Sequence, residues 1–222
     1  MRVISNGVII VLPSTIAAPV TTELIIKRSR FITHLAPVKS AAEADEFIAG
    51  IRKLHWSANH NCVAMVLGVN GDSARSSDDG EPSGTAGVPM LEVLRQRSMT
   101  DVVAVVTRYF GGIMLGAGGL VRAYSTAVST GLDAAVIVQR RWLTAASLQV
   151  PHAEAGRIDN WLRDWATTHD AVLGATTYGA AATLNILIPP EYAPVFRDDV
   201  AAISAGTLTP VFGENQIADV PA

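Results

Sequence analysis

The sequence predicts a mixed α+β protein built as two domains, and three observations carry that prediction. Strand-like and helix-like apolar patterns alternate along the chain. Its 222 residues are long for one compact domain and short for three. Charge also changes sign: up to Arg141 there are 14 Lys+Arg and 11 Asp+Glu, a balance of +3, whereas from Trp142 onward there are 3 and 9, a balance of −6. The boundary is expected near residue 140, giving domains of residues 1–140 and 141–222.

Residues 20–38 read as one or two strands broken near Lys27-Arg28-Ser29-Arg30, with Phe31, Ile32 and Leu35 as the apolar content. Ser40, with Glu43 three positions later, forms a capping-box pattern, and Ala44, Phe47, Ile48, Ile51 and Leu54 then recur at helical spacing. Cys62 to Val69 is a continuous apolar run of strand length, expected to be buried on both faces. A polar loop of about 18 residues follows, from Asn70 to Gly87, longer than a mere connection needs and therefore functional or mobile. Val88 to Arg97 reads as a short helix, Val102 to Val106 as a β-branched strand, and Gly118 to Val138 as a long apolar helix.

After Gln139-Arg140-Arg141 a second rhythm begins. A strand at 143–150 leads through Pro151 into a helix at 151–167 with Ile158, Leu162 and Trp165 on one face. Strands at 171–178 and 182–188 follow, then a helix from Pro190 carrying Tyr192, Val195, Phe196, Val200 and Ile203, and a last strand at 207–212. This order, β-α-β-β-α-β, is the split βαβ of ferredoxin-like domains. Trp161 and Trp165, four apart on an amphipathic helix, are expected in its core.

Composition narrows the function classes. With 49% hydrophobic and 17% charged residues the chain is neither disordered nor a coiled coil. Cys62 is the only cysteine, so no intrachain disulfide can form and a reducing, cytoplasmic setting is expected. Val8-Ile9-Ile10-Val11-Leu12 is too short for a signal-peptide core, and no run reaches the roughly 18 apolar residues of a membrane span, so neither export nor membrane insertion is expected. A net charge of −3 argues against indiscriminate nucleic-acid binding, yet six arginines from Arg95 to Arg141 face only Asp101 and Asp133.

Those arginines surround the segment Arg108-Tyr109-Phe110-Gly111-Gly112-Ile113-Met114-Leu115-Gly116-Ala117-Gly118-Gly119-Leu120-Val121-Arg122-Ala123-Tyr124. It joins a strand to a helix through glycines that admit close approach, at a helix start whose free N–H groups attract anions. The same glycines could serve only to let a turn pack. Tyr109 and Phe110 beside them are candidates for stacking on bases. The segment matches neither the Walker pattern nor the dinucleotide fingerprint.

A second motif, Ser77-Asp78-Asp79-Gly80-Glu81-Pro82-Ser83-Gly84-Thr85-Ala86-Gly87, sets Asp78, Asp79 and Glu81 where they could hold Mg²⁺ beside a substrate phosphate, or merely cap turns, with Thr85 capping the next helix. His60-Asn61-Cys62 lacks the second ligand pair of a zinc site, so no metal centre is assigned there. Cys62 opens an apolar run and reads as a buried small hydrophobe, and no hydrolase nucleophile elbow occurs.

These two motifs, with Lys27-Arg28-Ser29-Arg30-Phe31-Ile32 and His60-Asn61-Cys62-Val63-Ala64, resemble the signatures of the Impact/YigZ family over about residues 20–138. The remainder resembles the small C-terminal domain of its bacterial members. The resemblance implies an N-terminal ribosomal-protein-like βαβ domain and a C-terminal domain similar to domain V of elongation factor G. Both point to RNA or the ribosome, while eukaryotic relatives regulate translation by competing for a kinase activator. The expected function is thus RNA or ribosome binding in translational regulation, with no catalytic residue and no cofactor assigned. Phosphate contacts are expected from Lys27, Arg28, Arg30, Arg108, Tyr109, Gly111, Gly112, Gly116, Gly118, Gly119 and Arg122. The alternatives are an Mg²⁺-dependent enzyme using Asp78, Asp79, Glu81 and Thr85 on a phosphorylated or nucleotide substrate, and an adaptor whose acidic C-terminal domain meets a protein partner.

Overall fold

The structure, a computed structural model, describes residues 3–5, 8–10 and 12–221; residues 1–2 and 222, the outer ends of the two expected domains, lie outside the described residues. The chain divides into two compact units, one of residues 11–140 and one of residues 141–220. An antiparallel ribbon of β1 (Val3–Ser5) and β2 (Val8–Ile10) groups with the second. No helix among the described residues is long and apolar enough to cross a membrane.

The first unit contains β3 (Thr15–Ile16), β4 (Val20–Ile26), β5 (Ser29–Pro37), α1 (Ala41–Leu54), β6 (His60–Leu67), β7 (Ser73–Ser77), α2 (Gly87–Gln96), β8 (Val102–Tyr109) and α3 (Ala117–Asp133). Its sheet has the order β4-β5-β8-β6-β7 and is antiparallel throughout. Strands β5 and β6 are both antiparallel to β8, so α1 joins two parallel strands with β8 inserted between them. Helices cover both faces. Phe31, Leu35, Cys62, Ala64, Val66, Val102, Ala104 and Val106 pack with Met90, Leu94, Leu120 and Tyr124 of α2 and α3. Their alternate neighbours Ala36, Val63, Met65, Leu67, Val103 and Val105 pack with Ala44, Ile48 and Ile51 of α1. That double cover is why β6 and β8 read as unbroken apolar runs. The Ser40 side chain accepts from the Glu43 N–H, the cap that starts α1.

The second unit follows from β9 (Ile137–Val150), which begins in the first unit, through α4 (His152–Thr168), β10 (Val172–Leu173), β11 (Thr177–Tyr178), β12 (Ala182–Ile188), a 3-10 turn at Pro190–Tyr192, α5 (Ala193–Ile203) and β13 (Val211–Pro221). The sheet order β10-β12-β9-β13, with β11 also on β12, is that of a ferredoxin-like βαββαβ domain. Ile158, Leu162, Trp165, Phe196 and Val200 form its core against Leu148, Leu184, Ile186 and Ile188. Trp161 stacks on Phe196 with ring centroids 6.2 Å apart, and Trp165 Nε1 donates to Asp199 at 2.8 Å.

Four sequence expectations are corrected. The loop at 70–87 contains β7, whose Ser73-Ala74-Arg75-Ser76-Ser77 is a mostly exposed edge strand without apolar alternation. Helix α3 ends at Asp133 rather than Val138, because Ile137 and Val138 pair with Ile16 and Thr15 and begin β9. The strand expected at 171–178 is two short pieces, since Gly174 lies tight against Asn185 between them. The last strand begins at Val211, not Thr207, and its polar Gly213-Glu214-Asn215-Gln216 hides the period that would have marked it.

Candidate functional site

The glycine segment leaves β8 at Tyr109 and enters α3 at Ala117. Its glycines divide by physical role. A Cβ on Gly111 would stand 2.0 Å from the Arg28 carbonyl carbon, so Gly111 exists to let this loop lie against the β4–β5 turn. A Cβ on Gly119 would meet the Leu115 Cβ at 2.9 Å, again a packing need. Gly112 and Gly116 instead have open space around them and φ of 82° and 74°. Gly116 is the N-cap of α3 with no side-chain cap, and the first helical bond runs from Leu120 N–H to its carbonyl at 2.9 Å. The N–H groups of Ala117, Gly118 and Gly119 therefore have no helical acceptor, and they end a helix that carries about half a positive charge there. Gly118 meets only the Arg122 Nη1, at 3.8 Å from the position of a Cβ.

The cations expected to contact phosphate separate into two sets. Arg108 is buried: Nη1 donates to Glu81 Oε1 at 2.7 Å, Nη2 to Ser29 Oγ at 3.3 Å, and its Cζ lies 5.4 Å from the Phe31 and 5.5 Å from the Phe110 ring centroid. It is a structural cation and not a surface phosphate contact, because the Glu81 carboxylate neutralises it inside the fold. Arg30 is likewise held, by Glu23 at 2.7 Å and over the Tyr109 ring at 5.5 Å. Tyr109 in turn bonds His55 Nδ1 at 3.0 Å, so neither is a free contact. Lys27, Arg28 and Arg122 differ: all three are exposed, and among the described residues none has an ion pair. Lys27 and Arg122 line one small hollow with Leu115 and Gly119, while the Arg28 backbone touches Gly111.

Lys27 and Arg28 are also the two central residues of the hairpin turn closed by the Ile26–Ser29 pair, with φ of 46° and 67°. Such turns favour Asn-Gly, and side-chain-bearing residues there cost about 1 kcal/mol or more each. Two long cations stand where the backbone prefers neither.

The carboxylates are corrected from a metal set to structural bonds. Asp78 accepts from the N–H groups of Gly84, Ala86 and Gly87 at 2.8, 3.0 and 2.8 Å, closing the N-terminus of α2. Burial pushes its carboxyl up, and the three donors together outweigh burial and hold it below its ordinary value. Asp79 accepts from Asn61 N–H at 2.6 Å and from Arg52 at 3.1 Å. Glu81 holds Arg108 and accepts from the Tyr124 hydroxyl at 2.7 Å. Thr85 donates to the Pro82 carbonyl at 2.6 Å and does not cap α2. Among the described residues no group of three or more His, Cys, Asp and Glu is placed to hold a metal ion. Cys62 is buried 3.3 Å from the Tyr124 hydroxyl, and burial pushes its thiol up to about 12, which makes it a poor nucleophile at neutral pH.

The two loops nevertheless converge on one cleft of about 480 Å³. Arg108, Glu81, Gly116 and Ala117 line it, and Pro82, Phe110, Met114, Leu115 and Leu120 give it apolar walls. Asn59 and His60 add polar groups that the sequence did not single out as site residues. Asn59 Oδ1 accepts the Phe110 N–H at 2.8 Å. His60 Nδ1 lies 2.9 Å from the Asp79 carbonyl, and its Nε2 lies 3.9 Å from Glu81 Oε2.

A histidine chain also escaped the sequence. His34 Nδ1 bonds Thr21 Oγ1 and His34 Nε2 bonds His55 Nε2, each at 3.1 Å. Burial, and then His55, pushes His34 from 6.5 down to about 4. The unfolded chain therefore takes up a proton as pH falls below about 6.5 while folded His34 stays neutral until about 4. Stability is expected to decline across that window by up to about 1.4 kcal/mol per pH unit. Urea denaturation at several pH values checks this, and an unchanged slope in His34→Gln would refute it.

Comparisons with known proteins agree with this architecture. Residues 27–132 match the family model of the Impact N-terminal domain, and residues 148–207 match that of a domain of unknown function (DUF1949). The chain is 53% identical over 142 residues to IMPACT family member YvyE of Bacillus subtilis, covering 64% of this chain and 65% of YvyE. It is 39% identical over 194 residues to IMPACT family member YigZ of Escherichia coli, covering 86% of this chain and 93% of YigZ. A crystal structure described as that of a hypothetical protein superposes with a TM-score of 0.57 at 37% identity, covering 92% of this chain and 98% of the other.

Proposed function

We propose that this chain, a member of the Impact family, binds RNA, free or in the ribosome, and acts in translational regulation in the cytoplasm. One observation carries the reading: Lys27 and Arg122, exposed and without ion pairs among the described residues, line one hollow with Gly119 in the first turn of the uncapped α3, and the equally exposed Arg28 follows Lys27 in the turn packed on Gly111. Helix N–H groups beside exposed cations suit the phosphates of a nucleic-acid backbone, which supply affinity without sequence choice. The strained turn supports it, since a strained conformation retained at a site is a pointer to function. The stretch from Trp142 onward, at −6, is unsuited to phosphate, and a basic protein partner is the natural counterpart for it.

The decisive variant is Lys27→Asn with Arg28→Gly, which gives the turn its preferred residues and removes both charges. Thermal stability is expected to rise by about 1 kcal/mol while RNA affinity falls. The slope of log K against log salt should shrink by about 1.4 on a single strand, roughly 0.7 for each lost phosphate contact. Arg122→Ala should remove about 0.7 more. Unchanged affinity and slope at low salt in the combined variant, measured by fluorescence anisotropy on ribosomal RNA fragments, would show the reading to be wrong.

A further inference from the structure

We propose that the cleft beside α3 is a nucleotide subsite that takes one unstacked nucleoside phosphate, supplied by a single-stranded RNA or as a free mononucleotide. The inference rests on the RNA reading above and adds to it which part of the nucleic acid enters the protein and in which state.

The volume of about 480 Å³ lies within the roughly 300–1,000 Å³ of small-molecule sites, far below what a duplex would need. The walls decide the ligand chemistry. Pro82, Phe110, Met114, Leu115 and Leu120 present an apolar slot, which suits a flat base and would strand the hydroxyls of a sugar phosphate without partners. Phe110 is 48% exposed, and the Arg108 guanidinium lies 5.5 Å from its ring centroid, so the ring is held by a cation and can still offer surface to a base. Gly116 and Ala117 also line the cleft, with the unbonded N–H groups of the first turn of α3, the place for a phosphate.

An independent feature points the same way. Arg108 is 5% exposed, lies against the cleft, and keeps its buried Nε without a hydrogen-bond partner. With Glu81 it sets a buried ion pair in the cleft wall, a polar neighbour for a base edge beside the apolar slot. The polar rim completes the subsite. Asn59 has spent its Oδ1 on the Phe110 N–H and keeps its amide hydrogens to donate, beside the His60 ring. Such a donor finds its acceptor on the edge of an unpaired base, and a base inside a duplex has already used that edge.

The test is fluorescence anisotropy of the full chain with a labelled ten-nucleotide single-stranded RNA and with a ten-base-pair RNA duplex, for the unmodified chain, Phe110→Ala and Phe110→Leu. The single strand should bind more tightly than the duplex. Both substitutions should weaken it by about fivefold to a hundredfold, the worth of one base stacked on an aromatic ring, and leave the duplex unaffected. Competition by AMP or UMP assigns the nucleotide source: displacement of the oligomer supports a subsite open to free mononucleotides, and its failure supports one filled only from a strand. If Phe110→Ala binds both RNAs as the unmodified chain does, while the Lys27→Asn, Arg28→Gly variant still loses affinity, the subsite is refuted and the RNA interface stands. If the unmodified chain binds neither RNA at low salt, the RNA reading fails. The subsite then falls too unless AMP shifts the amide resonances of Gly116 to Gly119.

Discussion

Arg108→Ala is expected to lower the folding free energy by about 3–5 kcal/mol, the loss seen when one partner of a buried ion pair is removed. Glu81 is 8% exposed and would keep the Tyr124 hydroxyl at 2.7 Å and the His60 ring at 3.9 Å as neighbours, leaving a carboxylate inside the fold with its main counter-charge gone. The guanidinium also packs against Phe31 and Phe110, and alanine would open a void there. Urea denaturation measures the loss, and a variant within 1 kcal/mol of the parent would sink the argument. Replacing both partners, Arg108→Met with Glu81→Leu, should recover much of the stability, because no unpaired charge is then left behind. The prediction bears on function. Loss of RNA binding in Arg108→Ala would report damage to the fold, so the phosphate interface must be tested at Lys27, Arg28 and Arg122.

Gly111→Ala is expected to cost at least about 3 kcal/mol and to displace the β4–β5 turn. The new methyl would stand 2.0 Å from the Arg28 carbonyl carbon, 2.1 Å from its oxygen and 2.5 Å from the Ser29 nitrogen, all backbone atoms that cannot swing aside. Gly112→Ala meets open space and carries only the penalty of its φ of 82°, about 1–2 kcal/mol. The pair can be compared by denaturation and by tryptic cleavage after Lys27 and Arg28, which should accelerate only in Gly111→Ala. Equal stabilities for the two variants would refute the packing role. Because the turn carries Lys27 and Arg28, two of the proposed phosphate contacts, Gly111→Ala should also weaken RNA binding without removing any charge.

Much of the architecture was legible because it is written in local pattern. The Ser40 cap, the period of Ala44, Ile48 and Ile51, and the double-sided apolar runs of β6 and β8 reflect backbone geometry and burial that act over a few residues. Elements without such a pattern were missed, as with polar β7, or misjudged, as where the apolar end of α3 runs on into β9. The site was legible only in part. Glycine spacing marked the segment but could not divide Gly111, which packs, from Gly116, which opens a helix. Arginine count marked a basic region but could not tell buried Arg108 from exposed Arg122.

The sequence by itself determined the fold class, the ferredoxin-like order of the second half, and the family through two motifs that stand close together in the chain. Tertiary structure alone decided which charges remain available. Glu81 and Arg108 are 27 positions apart, and Glu23 and Arg30 lie on neighbouring strands; pairing across such separations neutralises some cations and leaves Lys27, Arg28 and Arg122 without an ion pair among the described residues. A local pattern records which residues want burial, but whether a charge meets its opposite depends on distances that exist only after the chain has closed.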